Sequence, residues 1–222
     1  MSTPTAQIHL TVGRPRVPKN GPTIVQLRSL APRRGLTFEQ SLRVAIQQAN
    51  AVTRAQQSLK LIPIELISGL RRVRIEYSRD QQIPRASFWD VITRQWVIQL
   101  RMTDTWKHHR FNIAHEFKHI IDHGREMSLY PGESSICAAC RSEEAADHFA
   151  KHFLVPDRLL RRAQRAGHAN VDMLADFFGV PEEVMAERLD RSPLGGRQMR
   201  RLLTNCTSTT TEHTGFLWRA AA

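Results

Sequence analysis

The chain has 222 residues, 41% of them apolar and 24% charged, enough apolar material for an ordinary globular core. Its three cysteines form an odd count that does not fit a secreted disulfide framework, and the sequence shows neither a signal segment nor an apolar run of bilayer length. These features point to a soluble, cytoplasmic protein with no membrane association, while the net charge of +11 raises the question of where the excess lies.

In chain order, residues 1–36 carry six basic side chains, five prolines and no acid, and are expected to be a largely irregular basic segment. A folded domain is expected over 37–190, followed by a basic polar tail over 191–222 that contains SPLGG and TNCTSTTTEHT. The two ends hold ten of the eleven excess positive charges, so the middle is nearly neutral. The ends read as solvated termini, with weak nucleic-acid contact as their further option. Within the domain, TFEQSLRVAIQQANAVTRAQQSL predicts a helix capped by Thr37. VRIEY and RQWVIQL predict short strands. RFNIAHEFKHIIDH, SEEAADHFAKHFLV, DMLADFFGV and PEEVMAERL predict four more helices.

The first of these four carries the chemistry. On a helix His115 and His119 lie about 40° apart around the axis and one turn apart along it, so both rings can face one ion. Ile113, Ala114, Phe117, Ile120 and Ile121 gather on the other side as a packing face. His123 lies about 12 Å along the axis from His115, too far to share that ion. His115-Glu116-x-x-His119 is thus the H-E-x-x-H pattern of zinc peptidases, with Glu116 placed to act as general base. A metzincin extension is excluded, because Asp122 and Arg125 occupy its glycine and third-histidine positions.

A catalytic zinc needs a third protein ligand and an open fourth position. In SEEAADHFAKHFLVP the residues Ala146, Phe149, Ala150, Phe153 and Leu154 mark an amphipathic helix, for which Ser142 is the expected N-cap. On this helix Glu143 faces inward, as the candidate third ligand, and Glu144 faces water. Asp147, one turn beyond Glu143, is placed to accept a hydrogen bond from a ligating imidazole. His148, His152 and Tyr130 are candidate stabilisers of the oxyanion.

HEFKHIIDH followed by EEAADHFAKHFLVP resembles the ImmA/IrrE family of zinc metallopeptidases, over roughly residues 88–190. The resemblance implies an α+β, zincin-like domain with a small sheet and the HExxH helix packed near a second ligand-bearing helix. It implies one Zn2+ per chain, held by His115, His119 and Glu143, with Glu116 as catalytic base. It also implies a protein substrate, a transcriptional repressor of the helix-turn-helix type. Lys118 stands where the family usually has glycine, and the helical wheel puts it at the cleft edge.

Three other readings compete. Cys137 and Cys140 form a C-x-x-C that, with His115 and His119, would close a Cys₂His₂ zinc site with no chemistry. LADFFGVPEEVMAERLD has a helix-turn-helix rhythm around Gly179, yet from Asp172 to Asp190 there are six acids against Arg188 alone, which favours packing on the domain over contact with DNA. The third is a non-catalytic zinc-containing regulator that binds a repressor or DNA without cutting.

Overall fold

Two threonines start the fold. Thr23 and Thr37 each accept a hydrogen bond from the amide of a glutamine three residues on, Gln26 and Gln40, and each glutamine side chain reaches back to the threonine amide. These reciprocal caps satisfy donors that a helix end otherwise leaves unpaired. In the computed structural model, which describes residues 21–56, 61–79, 86–131, 137–168 and 170–190, they open α1 (Ile24–Ser29) and α2 (Phe38–Thr53). The short α3 (Glu65–Ser68) leads into β1 (Val73–Ser78), β2 (Ala86–Asp90) and β3 (Gln95–Arg101). Helices α4 (Trp106–Asp122), α5 (Glu126–Leu129), α6 (Ala138–Leu154), α7 (Asp157–Arg165), α8 (Val171–Phe178) and α9 (Glu182–Leu189) complete it.

The strands form a sheet in the order β1-β3-β2, with β1 parallel and β2 antiparallel to β3. Val97, Ile98 and Leu100 of the central strand are buried, which explains why RQWVIQL reads as a strand. Strand β2 is not foreseen by the sequence pattern. It is five residues long and leaves Phe88 and Trp89 largely exposed, so it shows no clean inside-outside alternation.

Helix α4 packs against the sheet through β2 and β3, and α6 lies beside α4 and against α2. Ala114, Phe117, Ile121, Ala146, Phe149, Ala150 and Phe153 are all buried, and the Phe117 and Phe149 rings sit 6.2 Å apart across the contact. This α+β arrangement, a small sheet over an HExxH helix and its ligand-bearing neighbour, is zincin-like. Among the described residues no helix is long and apolar enough to cross a membrane.

Part of the segment expected to be irregular is folded. Leu27 of α1 is fully buried, and the Arg28 guanidinium donates to the carbonyls of Ile120 and Ile121 at 2.8 and 3.0 Å. Arg125 returns the contact, donating to the carbonyls of Arg28, Ala31 and Pro32. The last turn of a helix presents unpaired carbonyls, and Arg28 caps those of α4 from another element. Residues 1–20 and the tail 191–222, with its basic charge and Cys206, lie outside the described residues.

At the other end, α8 and α9 pack on the start of α4. The Arg110 guanidinium donates to the carbonyls of Gly179 and Ile62 at 3.0 and 2.9 Å, while Lys107 pairs with Asp176 at 2.5 Å. Gly179, with φ at 60°, ends α8 in the left-handed conformation that favours glycine. The helix-turn-helix rhythm therefore serves the domain's own core, through the buried Phe178, Val180, Val184 and Met185.

Candidate metal centre

Helix α4 places His115 and His119 one turn apart, and α6 lies close enough to set Glu143 opposite them. The Nε2 atoms of the two histidines are 3.1 Å apart. Glu143 reaches both, with one oxygen 3.2 Å from His115 Nε2 and the other 3.2 Å from His119 Nε2. Tetrahedral zinc with bonds near 2.0–2.1 Å separates its ligand atoms by about 3.3–3.4 Å. Two imidazole nitrogens and a carboxylate at this spacing fit such an ion closely.

The surroundings prepare these donors. His115 is 1% exposed, and its Nδ1 donates to Asp147 Oδ1 at 2.7 Å, which leaves the Nε2 lone pair for a metal. Ser142 Oγ lies 3.4 Å from His119 Nδ1. Burial opposes ionisation of Glu143, but its contacts with the two histidines outweigh that and hold its carboxyl well below the usual range. The Glu143 side chain is nonetheless 45% exposed, so the site opens to solvent on that side. Glu116 is buried beside it, with one oxygen 4.0 Å from His115 Nε2. Its carboxylate thus lies next to the ion's place without belonging to the ligand cluster, which comprises His115, His119 and Glu143.

Several expectations need correction here. Ser142 does not cap α6. The helix begins at Ala138, four residues earlier, with Cys137 as N-cap, because Ala138, Ala139 and Arg141 are good helix formers. Ser142 is freed to face His119, a role that the capping assignment hid. Glu144 is half-buried, and burial pushes its carboxyl up. Lys118 does not line the cleft edge. It is 1% exposed, and its ammonium lies 2.6 Å from both oxygens of Asp122, which also accepts the Tyr130 hydroxyl.

That contact commits Tyr130, a fully buried ring, to the Lys118–Asp122 pair. His148 and His152 fall about 140° and 180° around α6 from Glu143, on the side away from the metal ligands. Their rings pack on each other at 4.6 Å, close to the charges of Lys151, Arg188 and Asp157. Helix α6 therefore sets both rings on the side opposite Glu143. Cys137 and Cys140 stand outside the ligand cluster, so the closed Cys₂His₂ site is not formed among the described residues. His123 is likewise elsewhere, its ring 4.8 Å from that of Trp96.

Residues 72–190, just over half of the chain, match the family of the IrrE N-terminal-like domain, Peptidase_M78. Among solved structures the chain is similar to a Mycobacterium tuberculosis transcriptional regulator, with a TM-score of 0.54 and 16% identity over 78% of this chain and 54% of that one. The chain thus spans about half the length of that regulator, and a likeness at this identity concerns the fold. No curated protein matches the chain.

Proposed function

Because the chain belongs to the Peptidase_M78 family of IrrE N-terminal-like domains, we propose that it is a zinc-dependent endopeptidase acting on a regulatory protein, specifically a helix-turn-helix repressor. The observation that carries the reading is the pair of imidazole Nε2 atoms 3.1 Å apart, each 3.2 Å from one oxygen of Glu143, with the Glu116 carboxylate beside them. His115, His119 and Glu143 would hold the zinc, which when bound polarises a carbonyl and acidifies water. Glu116 takes the proton of the attacking water and returns it to the leaving amine. Asp147 fixes the His115 ring throughout. The exposed side of Glu143 is the direction from which a peptide enters.

Strand β2 supports a peptide substrate. Among the described residues it pairs only with β3, and Ser87 Oγ lies 3.4 Å from the Glu116 carbonyl. An extended segment that adds to the open side of β2 gains backbone hydrogen bonds while it runs past Glu116. The exposed Phe88, Val91 and Ile92 offer apolar contact to its side chains. The repressor as substrate is supported by the sequence resemblance, and it sets the reaction in the compartment that holds the DNA.

The test is processing of a co-expressed repressor by the wild-type protein and by Glu116→Gln. The variant should retain one zinc per chain and lose cleavage by at least two orders of magnitude. Equal processing by both proteins overturns the peptidase reading, and repressor capture without cleavage by the wild type supports the non-catalytic regulator instead.

A further inference from the structure

Cys137 and Cys140 are thiols outside the metal cluster, and neither has a part in the reaction proposed above. Their placement is specific. Cys137 is the exposed N-cap of the 17-residue α6, and its sulfur accepts the Cys140 amide at 3.2 Å. The two sulfurs are 2.6 Å apart, nearer to the 2.05 Å or so of a covalent S–S bond than two unrelated side chains approach. We propose that this pair is a dithiol–disulfide couple that exchanges with low-molecular-weight disulfides, Cys137 being the attacking sulfur and Cys140 the resolving one.

The order of attack follows from the surroundings of each sulfur. The positive end of α6 and the Cys140 amide both stabilise negative charge on Cys137, and the thiolate is the nucleophilic form. Cys137 is exposed whereas Cys140 is half-buried, so an incoming disulfide meets Cys137 first. The Cys137 thiolate attacks one sulfur of R–S–S–R, forming Cys137–S–S–R and releasing RS⁻, which takes a proton from water. Cys140 then loses its proton to water and attacks the Cys137 sulfur, which closes the intramolecular disulfide and releases the second RS⁻. Two protein thiols are oxidised by two electrons, and one small disulfide is reduced to two thiols. The pair is three residues apart on one turn, so closure asks little of the chain.

The couple sits one turn ahead of Glu143, and Cys140, Glu143 and Asp147 lie within about 60° of one another around α6. The exchange chemistry itself does not depend on the peptidase reading.

The experiment uses the full-length, zinc-loaded chain carrying Cys206→Ser, equilibrated in reduced and oxidised glutathione, quenched with iodoacetamide and mapped by mass spectrometry. Both alkylation sites should vanish together as the mixture becomes oxidising. Adding Cys140→Ser should trap glutathione on Cys137, and Cys137→Ser should trap at least fivefold less on Cys140. Peptide mapping of the unmodified chain for a Cys137–Cys140 crosslink gives the same reading if a variant folds poorly. Full alkylation of both cysteines in mixtures that oxidise a reference dithiol overturns the proposal, and equal trapping at the two positions overturns the assigned order.

Discussion

His115 and Asp147 are joined at 2.7 Å between α4 and α6, and Asp147 lies one turn beyond Glu143 on the same helix. Thus α6 supplies both a ligand and the group that aims another ligand. Removing the aiming group leaves three donors but frees the His115 ring to rotate. Asp147→Ala should therefore weaken zinc binding by about 10–100-fold while leaving the secondary structure unchanged. Competition against a chromophoric chelator measures the affinity, and an unchanged value would mean that packing alone orients the ring.

The assignment of Glu143 separates an open centre from a closed one. Glu143→Ala leaves only two imidazoles and should reduce bound zinc to well under half an equivalent after dialysis. Cys137→Ser/Cys140→Ser should keep a full equivalent, since neither sulfur is in the ligand cluster. Atomic absorption on the two purified variants decides between them. The opposite pattern would restore the Cys₂His₂ site.

Lys118, Asp122 and Tyr130 form a buried ionic group in which each partner satisfies another. Burial pushes the Lys118 ammonium down, and its pairing with Asp122 works against that. Asp122→Ala strands a cation in the core and should cost about 3–5 kcal/mol of unfolding free energy. Replacing the group together, as Lys118→Met/Asp122→Leu/Tyr130→Phe, should recover most of that loss, because no charge or hydroxyl is then left unpaired. Urea unfolding of both variants checks the comparison.

Helical spacing made much of the centre legible. The 3.6-residue period brings His115 and His119 to one side, and the apolar stripe of the next helix turns Glu143 inward. What escaped depends on contacts between elements distant in sequence. Asp122 stands at the i,i+4 position from Lys118 on the same helix, a local ion-pair spacing, but no local rule announces that Tyr130 closes over the pair and buries it. Helix α1 hid within a proline-rich segment, since its value lies in Leu27 and in Arg28 capping α4, about 92 residues away. Ser142 was mistaken for a cap because serine is a strong N-cap signal, whereas the cap proved to be a cysteine.

Gly179 offers a test of the packing between the helical pair and the start of α4. A Cβ built there meets Leu61 Cδ2 and lies 2.7 and 2.8 Å from two atoms of the Trp106 ring. The backbone also has φ at 60°, which costs a residue with a side chain about 1–2 kcal/mol. Gly179→Ala should lower stability by about 2–4 kcal/mol in all. A melting temperature within a degree of wild type would show that the α8–α9 pair moves aside freely.

The histidines on the far side of α6 predict an acid sensitivity of the fold. Burial, with Lys151 and Arg188 adding to it, pushes His148 down to about 4. Burial, Arg188 and His148 push His152 down to about 3, and Asp157 only partly offsets these effects. Both rings are thus neutral in the folded chain at pH 5, whereas in the unfolded chain they take up protons near 6.5. The unfolded state binds more protons between these limits, so stability is full above about pH 6.5 and falls as the pH drops toward 4 and 3. After discounting for the partial exposure of His148, the pair should account for about 2 kcal/mol of stability lost between pH 7 and pH 5. His148→Gln/His152→Gln removes these two sites and keeps the carboxylates and metal ligands that titrate in both proteins. Urea midpoints at the two pH values should therefore differ less in the variant than in the wild type, and an equal difference would mean that these rings are not held neutral by the fold.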